Sequence, residues 1–366
     1  MEPLKNMYNR NLLQHIATIA TDAIPHFRKE DFVKAVFSEG WEELELKQRI
    51  RRISTSLHSV LTGNYKADIK DIVKLAKAIH KSVGRDNTFE YIFLPDFIEQ
   101  YGTGHFSESL TAMEKITVLS SCEFAIRPFL IKDVNAVLPV MLQWTNHSHP
   151  SVRRLASEGC RPRLPWGLAL PALKKDPSPV LPILEALKND PSEFVRRSVA
   201  NNLNDIAKDN PQVVLYVAAH WQGHSVETDK ILKHGCRTLL KKANPDALTI
   251  FGLVLSPPCS VASLRLKNKK IYIGDELNFS FDLLHHATTA TRLRIEYIIT
   301  YAKANGKQSS KVFRITENTY DAASTVSYNR KQSFADMTTR KHYGGAHRLA
   351  IAVNGQEMAA LDFEVG

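Results

Sequence analysis

The stretch PSVRRLASEGC at residues 150–160 resembles SEFVRRSVANNL at residues 192–203, so that Val152 and Arg154 align with Val195 and Arg197 at an offset of 43. A third copy aligns EGCRPRL at 158–164 with HGCRTLL at 234–240. Repeats of about 40–47 residues, each a pair of helices, are typical of HEAT arrays, in which neighbouring pairs stack. The repeat therefore predicts a HEAT-like α-solenoid.

The hydrophobic period changes once along the chain. Up to about residue 255 the apolar residues follow helical spacing, as in DIKDIVKLAKAIHK at 68–81. After SPPCS at 256–260 they alternate, and Asn-Gly pairs at 305–306 and 354–355 indicate hairpin turns. We predict a multidomain all-α plus all-β protein, with a HEAT-like domain at 1–256 and an immunoglobulin-like β-sandwich without an internal disulfide at 257–366.

Composition limits the classes of function. The net charge of +10 favours an anionic partner. The four cysteines form no CxxC pair, so we expect reduced, mostly buried thiols. The sequence contains no P-loop, GxGxxG, HExxH or GxSxG motif and no long apolar run, and we expect no leader peptide. We expect a cytoplasmic protein without metal or nucleotide cofactor, in which His147 and His149 are exposed turn residues rather than metal ligands.

A polar stripe accompanies the apolar face of the helix that starts near Ser151. Val152, Leu155 and Ala156 have the spacing of a packed face. The stripe and its repeat equivalents consist of Arg154, Glu158 and Arg161, then Arg197, Asn201 and Asn204, then Lys230, His234 and Arg237. Stacked stripes would form a basic channel for phosphates. The alternative is a structural ladder of ion pairs, which we prefer for Arg153 and Arg196.

Three carboxylates are candidates for chemistry. Glu123 lies in VLSSCEFAI, where a helix of apolar and small residues is predicted, so this acid needs either a salt bridge to Arg127 or a cationic substrate. Glu158 has the spacing of an internal ion pair with its neighbouring arginines. Asp205 near the end of its helix is a further candidate, with a solvated acid as the alternative.

An aromatic residue and several basic runs complete the candidates. Trp166 follows Pro165 in a predicted loop, where an indole stacks on a base or a cation, or plugs the loop as a hydrophobic contact. The run LKQRIRR at 46–52, together with Lys70, Lys74 and Lys77, either extends the basic track or forms solvated faces.

Three segments together resemble one protein family: LSSCEFAIRPFL at 119–130, SVRRLASEGCRPRLPWG at 151–167 and DPSEFVRRSVANNLNDIAKDNP at 190–211. They closely resemble the AlkC-type bacterial alkylpurine DNA glycosylases, which are related to the AlkD type, over essentially the whole helical domain. The β-rich tail resembles the immunoglobulin-like domain that some AlkC-type members carry. The resemblance implies excision of cationic bases, chiefly 3-methyladenine and 3-methylcytosine, from duplex DNA without base flipping.

The resemblance also implies roles for residues. Glu123 and Glu158 would lie nearest the sugar of the damaged nucleotide, and Asp205 would be a third acid. Arg154 would contact the DNA backbone, and Trp166 would approach the exposed lesion. Further DNA contacts are expected from Arg161, Arg197, Asn201, Lys230, His234 and Arg237, and in the tail from TTRKHYGG at 338–345 or YNRKQSF at 328–334 in predicted loops. AlkD-type relatives carry a tryptophan near the catalytic acid, whereas this chain has Leu119 one turn earlier.

We therefore predict a monofunctional glycosylase that hydrolyses the N-glycosidic bond with water alone, acts as a monomer on alkylated double-stranded DNA and is associated with the nucleoid. One alternative is a noncatalytic module that binds damaged or branched DNA, with Glu123 in a structural ion pair. Another is a HEAT scaffold for an acidic protein, in which Arg154 and Arg197 do not affect DNA binding.

Overall fold

The computed structural model describes residues 2–337 and 340–366. Its internal contacts divide the chain into two compact units, one ending at Gly235 and the other spanning Cys236–Gly366. The first unit is helical, and the second contains two short helices followed by all of the described strands. The fold class predicted from the hydrophobic periods, all-α followed by all-β, is confirmed.

Several helices of the first unit begin at a side-chain cap. Asn9, Asn64 and Asp133 each accept a hydrogen bond from a backbone N–H of the first turn of the following helix. Short 3₁₀ helices cover Leu4–Met7, Phe89–Tyr91 and Ser178–Val180. The α-helices are α1 (Arg10–Ala23), α2 (Lys29–Val36), α3 (Leu46–Val60), α4 (Tyr65–Val83), α5 (Phe93–Tyr101), α6 (Phe106–Ile116), α7 (Arg127–Lys132), α8 (Val134–Trp144), α9 (Pro150–Glu158), α10 (Pro171–Lys175), α11 (Leu181–Leu187), α12 (Glu193–Asp209), α13 (Pro211–Trp221) and α14 (Val226–Gly235).

The repeat detected in the sequence corresponds to three neighbouring helices. Its copies form α9, α12 and α14, and α12 packs against both of the others. Val152, Leu155 and Ala156 of α9 are fully buried, as the apolar spacing predicted. His149 accepts from the Ser151 backbone N–H (3.2 Å), and Pro150 occupies the first turn, so the turn before α9 sets where this helix begins.

The second unit begins with α15 (Arg237–Lys241) and α16 (Pro245–Ile250). The strands are β1 (Cys259–Leu266), β2 (Lys270–Ile271), β3 (Glu276–His285), β4 (Thr291–Ala302), β5 (Gln308–Tyr320), β6 (Thr325–Ser333), β7 (Gly345–Val353) and β8 (Gln356–Val365). They form one sheet in the order β1-β3-β6 and another in the order β2-β8-β7-β4-β5. Alternate residues of β3 and β4 face the shared core.

Specific features of this unit follow from its sequence. Asn354 and Gly355 have φ values of 47° and 79°, so they form the two-residue turn with left-handed backbone that joins β7 to β8. Asn354 Nδ2 also donates to the Val254 carbonyl (2.9 Å), which fixes the segment before β1. The first strand starts at Cys259. The predicted domain boundary between residues 256 and 257 stays a prediction.

All four cysteines are free, as predicted. Burial raises the pKa of the Cys160 thiol to about 12, so this thiol is unreactive at neutral pH. In the described part of the chain, no helix is both long and apolar enough to span a bilayer.

Candidate active site and nucleic-acid interface

Glu123 lies in the connection between α6 and α7. Residues 117–126 form turns rather than the predicted helix. The Leu119 carbonyl accepts hydrogen bonds from both the backbone N–H and the hydroxyl of Thr88 (2.7 and 2.8 Å), so it is not available to continue α6. The helix prediction is wrong here. The consecutive serines at 120 and 121 were the available signal, because serine favours turns over helix interiors.

The partner of Glu123 is also different from the one expected. Arg154 Nη1 donates to Glu123 Oε2 (2.7 Å), and the Ser121 hydroxyl donates to the same oxygen (2.8 Å). The alternative salt bridge to Arg127 is wrong, because that guanidinium donates to the carbonyls of Gly159 and Leu168 instead.

Glu123 is the first member of a series of ion pairs, which we call the acid–arginine chain: Glu123, Arg154, Glu158, Arg161 and Asp205. Arg154 Nη2 lies 3.5 Å from Glu158 Oε1, and Arg161 Nη1 donates to that oxygen (2.6 Å). Arg161 Nη2 contacts Asp205 Oδ2 (2.7 Å), and Arg161 Nε donates to the same atom (2.8 Å). The predicted ion pairs of Glu158 are confirmed, and the chain joins three segments that are distant in sequence.

The two ends of this chain differ in exposure. The Glu123 and Arg154 side chains are 15% and 16% exposed, whereas that of Asp205 is 2% exposed. The alternative that Asp205 is a solvated acid is therefore wrong. Arg161, predicted to contact DNA, is buried between two carboxylates and does not present its guanidinium at the surface. Of the three predicted acids, Glu123 is the most accessible to a substrate.

Several supporting residues were not found by sequence reasoning. The Ser198 hydroxyl donates to Glu158 Oε2 (2.6 Å), and Lys208 donates to Asp205 Oδ1 (2.8 Å). The Arg154 guanidinium lies 4.5 Å from the centre of the Phe194 ring, which is a cation–π contact. Ser198 and Phe194 flank the repeated Val-Arg-Arg motif, so the repeat alignment pointed to this part of α12.

Trp166 is in the loop after α9, as predicted, and it is not a buried plug. It is 65% exposed, and its φ of 65° is unusual for a residue other than glycine. Lys47 Nζ donates to its carbonyl (2.8 Å). The indole borders a cavity of about 580 Å³ whose walls also include Phe124, the neighbour of Glu123, and Leu168. An accessible aromatic side chain thus lies in the same region of the helical unit as the open end of the acid–arginine chain.

The other predicted DNA contacts lie on α12, α14 and α15. Arg197 is exposed and pairs with Glu193 one turn earlier (2.7 Å). Asn201 and His234 are brought together, with His234 Nε2 3.0 Å from Asn201 Oδ1. Lys230 is exposed on α14, and Arg237 is the first residue of α15 in the second unit.

Arg153 has the ion-pair role preferred for it, whereas Arg196 bonds backbone carbonyls. Arg153 makes a two-point contact with Asp190, through Nε (2.6 Å) and Nη2 (3.0 Å), and donates to two turn carbonyls. Arg196 donates to the carbonyls of Asp190 and Pro191 (2.6 and 2.9 Å). Both therefore stabilise the turn that precedes α12.

The basic run at 46–52 is not one continuous track. Arg49 is buried and pairs with Glu42 (3.1 Å), and Arg51 pairs with Asp96 (3.0 Å). Arg52 donates to the Ser38 hydroxyl (2.6 Å). On α4, Lys70 and Lys77 are exposed, and Lys74 pairs with Asp71 (2.8 Å).

The histidines of the turn before α9 have local partners. His147 Nδ1 accepts from the His149 backbone N–H (2.9 Å), and His149 Nε2 lies 3.3 Å from Asp86. Within residues 2–337 and 340–366, no three His, Cys, Asp or Glu side chains are arranged to bind a metal ion.

Two segments of the second unit were predicted to contact DNA as loops. Residues 328–334 are largely strand β6, so the prediction of a loop is wrong, whereas the contact with DNA stays a prediction. Tyr328 and Gln332 are buried, and Lys331 pairs with Glu276 (2.8 Å). Of TTRKHYGG, residues 338 and 339 lie outside the described residues. Arg340 and Lys341 line a cavity of about 460 Å³ that also includes Lys303 and Lys311 and, among the described residues, no carboxylate.

Comparisons with known proteins agree with this architecture. The family described as "DNA alkylation repair enzyme" matches residues 107–227, and the family described as the C-terminal Ig-like domain of uncharacterised protein YhaZ matches residues 260–366. The chain is 44% identical over 365 residues to "Uncharacterized protein YhaZ" of Bacillus subtilis (strain 168), with complete coverage of both chains.

A solved structure matches over the same extent. It is the Pseudomonas fluorescens alkylpurine DNA glycosylase AlkC bound to DNA containing an abasic site analog, with 37% identity, a TM-score of 0.93 and complete coverage of both chains. Identity and fold agree along the whole length, in the helical unit and the sandwich alike. The chain therefore belongs to the AlkC family of alkylpurine DNA glycosylases.

Proposed function

We propose that this protein is a monofunctional DNA glycosylase that removes cationic alkylated bases, chiefly 3-methyladenine and 3-methylcytosine, from duplex DNA without moving the base into a pocket. It acts as a monomer on chromosomal DNA in the cytoplasm. The observation that supports the proposal best is Glu123, an accessible carboxylate whose position is fixed by Ser121 and Arg154. The AlkC relative, named as an alkylpurine DNA glycosylase and bound to DNA, supports the same reaction class.

The chemistry requires little beyond a positioned carboxylate. A base methylated at N3 carries a positive charge, so it leaves with the electron pair of the C1′–N bond as a neutral molecule. Positive charge develops on the sugar as that bond breaks, and a carboxylate beside it stabilises the transition state. Water adds to C1′, and its proton passes to the carboxylate or to solvent. The reaction thus consumes only water.

We assign roles by position in the acid–arginine chain. Glu123, at the open end, lies nearest the lesion sugar. Its carboxylate orients the attacking water or accepts a proton from it. Glu158 lies behind it and acts through Arg154, and Asp205 acts through Arg161 at the buried end. Arg154 contacts the backbone phosphate beside the lesion. Within the helical unit the duplex continues along Arg197, Asn201, Lys230 and His234, and Arg237 is a separate DNA contact proposed for the second unit.

A noncatalytic module that binds damaged DNA is the second candidate. The observation in its favour is the short ion pair between Glu123 and Arg154, which a purely structural role also explains. Base release from methylated duplex DNA, with the released bases identified by chromatography, separates the two candidates. Release of 3-methyladenine above the spontaneous rate supports the glycosylase, and its absence supports the binding module.

Trp166→Ala is expected to weaken binding to a duplex that contains an abasic-site analogue. Stacking of a base on an aromatic side chain contributes ~1–3 kcal/mol, so the Kd should rise about 5- to 150-fold. The melting temperature should stay unchanged because the side chain is exposed. Fluorescence anisotropy measures the affinity. Tyr216→Ala, at another exposed aromatic residue, is the control, and equal effects of both variants would contradict a role for Trp166.

The lysines around the basic cavity of the second unit are expected to contact DNA phosphates. Changing Lys303, Lys311 and Lys341 to Gln should lower the slope of log K against log salt concentration by up to about 2.7, at about 0.9 per lost contact. The control changes the exposed Lys267, Lys269 and Lys270 to Gln, with the same loss of charge. Identical slopes for the two triple variants would remove the cavity from the interface.

A further inference from the structure

Arg127 is a buried cation without an acidic partner. Its side chain is completely buried at the start of α7. It forms no ion pair with a carboxylate in the described part of the chain, and its Nη2 has no hydrogen-bond partner there. Burial lowers the pKa of the guanidinium to about 10, so the group is still charged at neutral pH. A buried charge costs several kcal/mol unless it is well paired, so fold stability alone is a poor explanation for it.

The hydrogen bonds of Arg127 connect it to one segment. Nη1 donates to the Gly159 carbonyl (3.0 Å), and Nε donates to the Leu168 carbonyl. We call residues 159–168 the Trp166 segment, because these carbonyls belong to its first and last residues. One rigid, planar group therefore fixes both ends of the segment that carries the exposed indole.

Close packing reinforces this arrangement. A Cβ atom added at Gly167 would lie 3.2 Å from both Arg127 Cδ and a ring carbon of Phe124, so the backbone beside Trp166 rests against these side chains. At the other end of the segment, a Cβ at Gly159 would lie 2.7 Å from Ile126, the residue before Arg127. Arg127 and its neighbours are thus in close packing contact with the backbone at both ends of the Trp166 segment.

We propose that Arg127 is a positioning residue that holds Trp166 in the orientation required to contact DNA. The indole is largely exposed, and its left-handed backbone is unfavourable for a residue with a Cβ. Fixing both ends of the segment from the protein interior gives this conformation before DNA arrives, so binding does not have to order it. The effect on catalysis rests on the proposed function, whereas the effect on Trp166 does not.

The test measures whether DNA protects Trp166 from a soluble quencher. The three other tryptophans, Trp41, Trp144 and Trp221, are buried, so iodide quenching reports mainly on Trp166, and Trp166→Phe supplies the background. In the wild type, an undamaged duplex should reduce quenching of this residue. Arg127→Lys keeps the charge but cannot donate to both carbonyls in a fixed plane, and Arg127→Met removes the donors.

Both variants should lose the DNA-dependent protection of Trp166. The Kd for the abasic-site duplex should rise toward that of Trp166→Ala, and the kcat for base release should fall about 10- to 100-fold, as expected for slight misplacement of a substrate-contacting group. Arg153→Met, which also removes an arginine bonded to turn carbonyls but one remote from this segment, should retain protection and kcat.

Two results would overturn the proposal. One is normal protection and normal kcat in a folded Arg127→Lys protein, and the other is an equal loss in Arg153→Met, which would indicate general destabilisation. If Arg127→Met does not fold, Arg127→Lys decides the question. Absence of base release by the wild type would count against the proposed function, while the quenching experiment would still test Arg127.

Discussion

Glu123→Gln is expected to reduce base release from methylated duplex DNA by about 10²–10³-fold, the loss typical when one group that stabilises transition-state charge is removed. Glutamine keeps the shape of the side chain, and its carbonyl oxygen can still accept hydrogen bonds from Arg154 and Ser121. It cannot carry the negative charge that a developing cationic sugar requires. Affinity for undamaged duplex DNA should therefore change little, and the melting temperature should stay close to that of wild type.

The matched control is Glu108→Gln. Glu108 is another partly exposed acid of the helical unit, and it pairs with Lys66 at 2.7 Å. This variant should release 3-methyladenine at the wild-type rate. Full activity in Glu123→Gln would assign Glu123 to a structural ion pair, and the catalytic role would then fall to Glu158. A parallel loss of DNA affinity would instead show that the change disturbs Arg154.

The fold could be predicted from sequence because its signals are local. The buried face of α9 follows from the spacing of Val152, Leu155 and Ala156, and the turn at Asn354 and Gly355 follows from backbone conformations that few residue types tolerate. Residues 117–126 differ because the carbonyls of Val118 and Leu119 accept hydrogen bonds from the backbone of residues 87 and 88. No pattern within the segment encodes that contact.

The site was only partly predictable, because some of its contacts are local in sequence and others join distant segments. Glu158 and its arginines are three or four residues apart, so their ion pairs follow from helical spacing. The pairs Glu123–Arg154 and Arg161–Asp205 join residues 31 and 44 positions apart, and they exist only because of how the helices pack. For Asp205 the sequence leaves a solvated acid open as an alternative, because it does not reveal that α12 turns this side chain toward Arg161.

Arg161→Met is expected to cause a large loss of stability in the helical unit. Removing one partner of a buried ion pair costs about 3–5 kcal/mol, because the remaining charge is left without compensation. Here two buried carboxylates, Glu158 and Asp205, lose their shared partner. The melting temperature of the helical unit should fall by about 10 °C, since 1 kcal/mol corresponds to about 2–4 °C for a domain of this size.

Arg163→Met is the internal control, because it changes the same residue type in the same loop. Arg163 also pairs with an aspartate through Nε and Nη2, namely Asp209, one turn after Asp205 on α12, but at the surface, where ion pairs contribute little. Its melting temperature should therefore fall far less. Adding Asp205→Leu to Arg161→Met should restore part of the loss, because it removes a carboxylate left with only Lys208 as a partner. Equal melting temperatures for the two single variants would mean that the buried end of the acid–arginine chain is solvated in solution, and that Asp205 is open to substrate as Glu123 is.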